Sequence, residues 1–232
     1  MITDIPVIQN GSVEGLTMRL PFAYSVHSEP VDERPKAQYL CDRENKRWRD
    51  IRSPKRRREW LSGRVAAKKA VQRWIEDKTT RPSLSAITID TGTNGAPLCI
   101  EHPEVWVSIS HSHENAVAVA ARNPVGIDIE RISNMDMVLL RWFFTPNERD
   151  WINSEHHLTD RQKLMADVWT AKEAVSKLQL KGGRIDFMQI DTVKRQLVGN
   201  HEPYCRIQVK TVRSSAYAFS IAYFQEFSDG PR

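Results

Sequence analysis

Two carboxylates stand two residues apart in the segment 125–130, where apolar residues alternate with glycine and acids: Val125, Gly126, Ile127, Asp128, Ile129 and Glu130. Because side chains alternate across a strand, Asp128 and Glu130 are predicted to share one face, with their Cα atoms about 7 Å apart. Carboxylates at that spacing can hold one hard cation such as Mg²⁺ between them. A half-buried strand with a solvated acidic face has the same alternation, so the pair needs support from other residues.

A third carboxylate lies on a predicted helix, with two lysines near it. Trp169, Glu173 and Lys177 are spaced at i, i+4 and i+8, which places them on one stripe, and Lys172 precedes Glu173. An exposed Glu–Lys pair contributes only about 0.2–0.5 kcal/mol and is common, so the spacing alone indicates a surface pair. If Glu173 faces Asp128 and its neighbouring acid, the three carboxylates and the lysines form a magnesium site for a phosphate-bearing substrate.

Hydroxyl and imidazole groups occur together in the predicted strand 107–112. Ser108 and Ser110 share a strand face and His111 stands at the strand end, where all three side chains can donate to phosphate oxygens. A Ser-His hydrolase is an alternative, but the chain has no G-x-S-x-G elbow. A zinc site at His111 and His113 would lack cysteine partners.

A tight turn is predicted at residues 94–97, which read Asn94-Gly95-Ala96-Pro97. The glycine lets the backbone approach a flat ligand, and the proline fixes the exit from the turn. An ordinary hairpin turn has the same composition, so this segment alone does not indicate binding.

Basic residues are concentrated between Arg43 and Arg73, although the net charge of the whole chain is only +5. This region holds 13 Lys and Arg side chains against three acids, Glu44, Asp50 and Glu59. Such a cluster favours a polyanion, which could be nucleic acid, a phosphorylated cofactor or an acidic protein surface. A solvated helix face is the alternative that involves no ligand.

The chain has 232 residues, 40% of them hydrophobic, which is enough to form a core in one large domain or two small ones. No apolar run approaches the roughly 20 residues that span a bilayer, and the first residues do not resemble a signal peptide. Three widely separated cysteines, Cys41, Cys99 and Cys205, fit reduced structural thiols. We therefore expect a cytoplasmic protein that does not bind membranes.

Helical and strand-like patterns alternate twice along the chain. A helix is predicted from about residue 53 to 77 and a second from about 160 to 181, where Lys181-Gly182-Gly183 stops it. Each helix is followed by strand-like runs, and a further strand is predicted within residues 16–26; the runs cover 86–90, 105–110, 116–121, 188–193, 204–212 and 216–224. This order predicts an α+β fold of two similar halves, residues 1–123 and 124–232, that meet near residue 124.

Four of these segments occur together and in order: 94–97, 108–112, the G-I-D-I-E strand at 126–130 and the W-T-A-K-E-A helix at 169–174, followed by Lys177. In order and approximate spacing they resemble the 4′-phosphopantetheinyl transferases, specifically the larger monomeric type. The resemblance covers roughly residues 55–181. It implies two α/β halves related by a pseudo-two-fold axis, each with a long helix packed on a small, mostly antiparallel sheet.

The resemblance also implies a reaction and a set of metal ligands. The reaction is transfer of the 4′-phosphopantetheine arm of coenzyme A to a serine of an apo acyl or peptidyl carrier protein, with release of adenosine 3′,5′-bisphosphate. Asp128, Glu130 and Glu173 match the Mg²⁺ ligands, and Glu173 is also placed to act as a base. Glu148, in the segment F-F-T-P-N-E, matches an acid with a supporting catalytic role.

Further positions match coenzyme A contacts in that family. Ser110 and His111 match residues at the phosphates, Lys172 and Lys177 match lysines near the pyrophosphate, and Gly95, Ala96 and Pro97 match the adenine-side turn. For the 3′-phosphate, Arg57 and Arg64 resemble the basic helix start and the G-R step of the family. The implied partners are coenzyme A and the carrier protein, with no nucleic acid.

Two other functions remain open at this point. A metal-dependent nuclease would use Asp128 and Glu130 together with the basic region, but the lysine expected two residues after the second acid is replaced by Ile132. A non-catalytic module that binds RNA or an acidic protein through the basic region would leave the three acids unexplained.

Overall fold

The computed structural model describes residues 8–9, 12–13, 22–27, 36–75, 81–133, 138–179, 186–193, 196–197 and 207–224. Several predicted features fall wholly or partly outside these ranges. They are the first part of the strand within 16–26, the end of the first helix after Ile75, the Lys181-Gly182-Gly183 stop and the start of the strand predicted from residue 204.

The N-terminal half builds one five-stranded antiparallel sheet with a long helix on one side. Its helices are α1 (Lys36–Tyr39), α2 (Asp42–Asp50) and α3 (Pro54–Ile75). Its strands are β1 (Ile8–Gln9), β2 (Ser12–Val13), β3 (Phe22–His27), β4 (Ile89–Thr91), β5 (Pro97–Cys99), β6 (Trp106–Ser112) and β7 (Asn115–Ala121). The sheet order is β3-β7-β6-β5-β4, while β1 and β2 pair separately. Small apolar side chains of α3, among them Ala66, Ala67, Ala70 and Val71, pack into the core on this sheet.

The C-terminal half also packs a long helix on an antiparallel sheet, which here has three strands. Its helices are α4 (Val138–Phe143), α5 (Pro146–Ser154) and α6 (Leu158–Leu178). Its strands are β8 (Val125–Arg131), β9 (Ile190–Asp191), β10 (Gln196–Leu197), β11 (Ile207–Arg213) and β12 (Tyr217–Phe224). The antiparallel order is β11-β12-β8, β9 pairs with β10, and Ala174, Val175 and Leu178 of α6 pack beside Ala222.

The two halves also keep the same spacing between their helices. Helices α2 and α5 begin at Asp42 and Pro146, and α3 and α6 begin at Pro54 and Leu158, so 104 residues separate the members of both pairs. The predicted α+β fold, with a long helix on a small antiparallel sheet in each half, is confirmed. Among the described residues, no helix has both the length and the apolar character needed to cross a membrane.

One predicted strand is shorter than expected. The run 188–193 begins with a 3₁₀ turn at Phe187–Gln189, and only Ile190–Asp191 forms a strand. The Asp186 side chain explains this start, because it accepts a hydrogen bond from the backbone N–H of Met188 at 2.9 Å and so caps the turn.

A partly buried acid of α6, Asp167, predicts how stability depends on pH. Burial raises the pKa of Asp167 from its ordinary value of 3.8 to about 6, and Arg213, 3.3 Å away, only partly opposes this shift. Its Oδ1 is buried and has no hydrogen-bond partner among the described residues. The folded chain therefore binds this proton more tightly than the unfolded chain. The resulting penalty is absent below about pH 4, grows as pH rises and is complete above about pH 6.

We expect Asp167→Asn to remove this penalty. At pH 8 the variant should be more stable than the parent protein by roughly 2–3 kcal/mol, and the difference should vanish near pH 4. Urea unfolding at both pH values measures it, with Asp150→Asn on the exposed surface of α5 as the control. An unchanged pH dependence in Asp167→Asn would contradict the assignment.

Candidate active site

The two halves meet where β6 lies beside β8, and serines of β6 hold the acids of β8. The Ser110 hydroxyl donates to Asp128 Oδ1 at 2.6 Å, and the Ser112 hydroxyl donates to Glu130 Oε1 at 2.9 Å. Ser112 Oγ also accepts the backbone N–H of Arg131 at 3.1 Å. Both carboxylates of the predicted pair are therefore oriented by the opposite half of the molecule.

Helix α6 brings a lysine and the third acid to the same place. Lys177 Nζ donates to Asp128 Oδ1 at 2.6 Å. Burial raises the pKa of Glu173, Lys177 lowers it, and the negative charges of Asp128 and Glu130 raise it further. Asp128, Glu130 and Lys177 are therefore close enough to Glu173 to influence its pKa. The helical spacing predicted the part of this that involves Glu173 and Lys177.

A glycine of β8 allows α6 to approach this closely. A Cβ atom at Gly126 would overlap the carbonyl oxygen of Ala174 and would lie 2.6 Å from the backbone nitrogen of Leu178. Both contacts belong to the turn of α6 that carries Lys177 and follows Glu173. The absence of a side chain at residue 126 therefore sets the distance between the strand and the helix that hold the acids.

The chemistry of this acidic group suits a divalent cation, although its side chains are not gathered tightly. Among the residues the structure describes, no three His, Cys, Asp or Glu side chains are grouped closely enough to hold a metal ion. The donors that are present, Asp128, Glu130 and Glu173, carry the oxygen ligands that Mg²⁺ prefers. Burial is the main cause of the raised pKa of Glu173, and the charges of Asp128 and Glu130 raise it further. A bound cation would neutralise this negative charge.

A cavity of about 930 Å³ lies next to the acidic group, mainly in the N-terminal half. It is bordered by α2, by α3, by the turn after β4 and by β6, and Lys177 of α6 reaches into it. Of the residues predicted to contact coenzyme A, the cavity is lined by Arg64, Gly95, Ala96, Pro97, His111 and Lys177. The backbone of Gly95 has φ +82°, a left-handed conformation that favours glycine.

A buried cation that forms no ion pair within the described part of the chain forms part of the cavity wall. Arg64 is only 7% exposed, and its guanidinium lies 4.8 Å from the ring centroid of Trp60. Its Nε has no hydrogen-bond partner among the described residues. Burial lowers the pKa of Arg64 to about 10, and Glu44 partly offsets this. A buried guanidinium in this state favours an anionic ligand in the cavity.

Arg57, the other arginine predicted for the 3′-phosphate, does not line this cavity. Its Nε and Nη2 donate to the carbonyl oxygen of Ile51 at 3.1 and 2.7 Å, and its guanidinium lies 4.7 Å from the Trp48 ring centroid. These contacts link the start of α3 to the segment that follows α2, which is a structural role.

Lys172 and Glu148 also lie away from the cavity, because they pair with each other in the core of the C-terminal half. Both side chains are fully buried, and Lys172 Nζ lies 2.7 Å from Glu148 Oε2. Lys172 Nζ donates to the carbonyl oxygens of Phe187 and Ile190, each at 2.6 Å. Lys172, predicted to contact the pyrophosphate, is therefore placed in this core and is not among the residues that line the cavity. Ser110 likewise directs its hydroxyl to Asp128 and is not among the residues that line the cavity.

Sequence reasoning missed several side chains of the cavity: Arg47, Arg52, Arg56, Trp60 and Thr91. The arginines lie within the basic region, but their selection depends on a break that the sequence pattern did not reveal. Helix α2 ends at Asp50 and α3 begins at Pro54, so residues 51–53 turn the chain around the cavity mouth. Pro54, a residue favoured in the first turn of a helix, agrees with the start of α3 predicted at about residue 53, whereas helix α2 was not predicted.

Comparison with known families gives two adjoining matches. The family described as the 4′-phosphopantetheinyl transferase superfamily matches residues 124–225. The family described as the 4′-phosphopantetheinyl transferase N-terminal domain matches residues 52–121. The N-terminal match includes β6 and the other match includes β8, so they lie on opposite sides of the contact between the halves.

Individual relatives carry the same description. A 4′-phosphopantetheinyl transferase of Aneurinibacillus migulanus is 38% identical over 79 residues, which are 34% of this chain and 33% of that protein. One of Bacillus pumilus is 33% identical over 100 residues, 43% of this chain and 42% of that protein. The chain thus matches less than half the length of these two curated relatives. Among solved structures, Thermotoga maritima holo-[acyl-carrier-protein] synthase aligns over 52% of this chain and 72% of its own, with TM-score 0.37 and 24% identity.

Proposed function

We propose that this chain, which belongs to the 4′-phosphopantetheinyl transferase superfamily, transfers the phosphopantetheine arm of coenzyme A to a serine of an apo carrier protein. The observation that carries the proposal is the position of Lys177. Its side chain lines the cationic cavity and at the same time donates to Asp128 of the acidic group. A ligand with several phosphates could therefore extend from the arginines of the N-terminal half to the carboxylates of the C-terminal half.

The cavity supplies the binding contacts of this proposal. Arg64 and the exposed arginines at its mouth would neutralise the phosphate of the adenosine end, and Trp60 holds the Arg64 guanidinium in place. The turn at Gly95–Pro97 would border the adenine. His111 and Lys177 would donate to the pyrophosphate, since both line the cavity and Lys177 also contacts Asp128.

The acidic group supplies the reacting end. Asp128, Glu130 and Glu173 would hold Mg²⁺, which when bound neutralises pyrophosphate charge and polarises the phosphoryl oxygen. The carrier serine Oγ forms a bond to the β-phosphorus, and the bond from that phosphorus to the bridging oxygen breaks. The bridging oxygen leaves with adenosine 3′,5′-bisphosphate, and the Glu173 carboxylate receives the serine proton. Lys177 stabilises the charge that develops on the leaving group.

Glu148 and Lys172 take an indirect role in this proposal. Their buried ion pair joins α5 to α6 immediately beside Glu173, so they would position the base without touching coenzyme A. We infer that the two halves have different roles: residues 1–123 bind the adenosine end of coenzyme A, and residues 124–232 carry the acids. The basic exterior of the chain suits an acidic carrier protein.

The proposal is tested by mass spectrometry of apo carrier proteins incubated with the chain, coenzyme A and Mg²⁺. A panel of fatty-acid, polyketide and peptide carrier proteins should include at least one that gains the mass of phosphopantetheine, and excess chelator should prevent the gain. No modification of any carrier would overturn the proposal. Salt-sensitive binding and cleavage of nucleic acid, measured in parallel, would support the nuclease alternative.

A variant of the buried arginine tests the binding half of the proposal. We expect Arg64→Met to weaken coenzyme A binding roughly 10- to 100-fold, because it removes a charge-assisted phosphate contact. Isothermal titration calorimetry measures the dissociation constant. Arg58→Met is the matched control, since Arg58 is exposed on the same helix and does not line the cavity. Equal losses in the two variants would indicate a general charge effect and would remove Arg64 from the site.

A further inference from the structure

A buried ion pair lies behind the cavity in the N-terminal half. Lys68 of α3 is 0% exposed, Glu44 of α2 is 3% exposed, and the Lys68 ammonium contacts Glu44 Oε2. The same oxygen accepts the backbone N–H of Cys41 at 3.0 Å, while Oε1 accepts the backbone N–H of Ile89 at 3.1 Å. Lys68 Nζ also donates to the carbonyl oxygen of Tyr39 at 2.6 Å. One ion pair thus connects α1, α2, α3 and β4.

The C-terminal half contains an equivalent buried ion pair at corresponding positions. Lys172 and Glu148 stand 104 residues after Lys68 and Glu44, the spacing that also separates the helices on which they lie. Glu148 Oε2 accepts the backbone N–H of Thr145 at 2.8 Å, and Oε1 accepts the backbone N–H of Thr192 at 2.8 Å. Each glutamate therefore caps its own helix, receives a lysine from the long helix and accepts a backbone N–H from a segment near the sheet.

The correspondence between the halves extends to a second structural contact, but not to the residues at the ligand site. Arg57 donates to the carbonyl oxygen of Ile51, and Arg161, 104 residues later, donates to that of Glu155 at 2.6 Å. The residues that face the ligand site do not repeat in this way. Glu173 next to Lys172 corresponds to a lysine at position 69. The equivalent ion pairs stabilise the same packing in both halves, whereas the residues next to them carry opposite charges, with an acid at 173 and a base at 69.

The Glu44–Lys68 pair lies one helical turn from the cavity on each helix that it joins. Arg47 follows Glu44 by three residues on α2, and Arg64 precedes Lys68 by four residues on α3. In β4, Thr91 follows the hydrogen-bonded Ile89 by two residues and lines the same cavity. Three walls of the cavity are therefore attached to the one carboxylate of Glu44.

We propose that Glu44 and Lys68 are positioning residues that set the separation of the cavity walls for the phosphates of coenzyme A. Neither side chain lines the cavity. The inference rests on the proposed function and adds a role in coenzyme A affinity that the C-terminal pair does not share. Because Glu148–Lys172 adjoins Glu173, its loss acts on the phosphoryl transfer step.

The two ion pairs provide matched double variants. Glu44→Gln/Lys68→Met and Glu148→Gln/Lys172→Met each remove both charges together, which leaves no unpaired buried ion to unfold the chain. We expect the N-terminal variant to raise the dissociation constant and the KM for coenzyme A roughly 10-fold, with kcat at saturating coenzyme A within about twofold, since displaced ligand contacts weaken binding. The C-terminal variant should lower kcat roughly 10-fold and change coenzyme A affinity less than about threefold.

Three measurements are made on the same preparations: calorimetry with coenzyme A, steady-state kinetics with an apo carrier protein that the parent modifies, and thermal unfolding. A purely structural role predicts equal losses of melting temperature in the two variants with unchanged affinity and kcat, and that result overturns the proposal. If the N-terminal double variant does not fold, Glu44→Asp, which keeps both charges but shortens the side chain that joins the walls, decides by the same affinity criterion. Parent protein that fails to bind coenzyme A would overturn the proposed function itself, whereas binding parent protein with an equally tight N-terminal variant would overturn only the positioning role.

Discussion

Asp128→Asn is expected to lower the rate of phosphopantetheine transfer roughly 1,000-fold or more, equal to about 4 kcal/mol of transition-state stabilisation. The substitution removes the charge of one proposed metal ligand but keeps the shape of the side chain. An amide oxygen can still accept from Ser110 and Lys177, which both contact Asp128 Oδ1 at 2.6 Å. The melting temperature should therefore change little, and the loss should appear in kcat measured over a range of Mg²⁺ concentrations.

A matched control exists on the surface of the same helix that carries Lys177. Asp160 also accepts from a lysine at 2.6 Å, in this case Lys163. Asp160→Asn makes the same chemical change in an ion pair of the same length, and it should leave transfer within about twofold of the parent because exposed pairs contribute little. More than a tenth of parental activity in Asp128→Asn, or full activity in excess chelator, would refute the role of Asp128 as a metal ligand.

Gly126→Ala is expected to have the largest effect on stability, about 3 kcal/mol or more. The added methyl group would meet the backbone of α6 at Ala174 and Leu178, and main-chain atoms cannot rotate away as a side chain can. To relieve the overlap, α6 must move from β8, which would also displace Glu173 and Lys177. Both the free energy of unfolding in urea and the transfer rate should therefore fall.

Gly63→Ala makes the same change in the long helix of the other half. There the new Cβ atom would lie 3.2 Å from Ile109 Cγ2, the end of a side chain that can adjust. Alanine also favours a helix interior over glycine by about 1 kcal/mol, which offsets the contact. We expect the free energy of unfolding of this variant to stay within about 1 kcal/mol of the parent. Equal destabilisation by the two substitutions would show that the approach of α6 to residue 126 has no special importance.

Periodicity in the sequence identified the side chains that lie together within one element. Strand alternation placed Asp128 and Glu130 on one face, and both indeed receive hydroxyls from alternate residues of β6. The i, i+4 spacing placed Glu173 beside Lys177, and their charges interact in the structure. These predictions depend only on the geometry of a strand or a helix, which residue numbers determine.

Contacts between elements could not be obtained in the same way. Lys172 is adjacent to Glu173 in sequence, but consecutive helical residues point about 100° apart, and Lys172 turns inward to Glu148. Arg57 belongs to the basic motif, yet the break between α2 and α3 directs its guanidinium to the carbonyl of Ile51. Which cations line the cavity depends on this break and on the packing of α2, information that a one-dimensional charge pattern does not contain.

The hydrogen bonds from Ser110 and Ser112 to the acids of β8 have a consequence for how the site assembles. Each carboxylate belongs to one half and is oriented by a hydroxyl of the other, so an isolated half would present its acids unsupported. If the halves were separate chains, the fraction of intact sites would fall on dilution. Because one covalent chain joins them through the short link from β7 to β8, the encounter is intramolecular and its effective concentration is set by that link. Occupancy of the assembled geometry is therefore independent of how much protein is present.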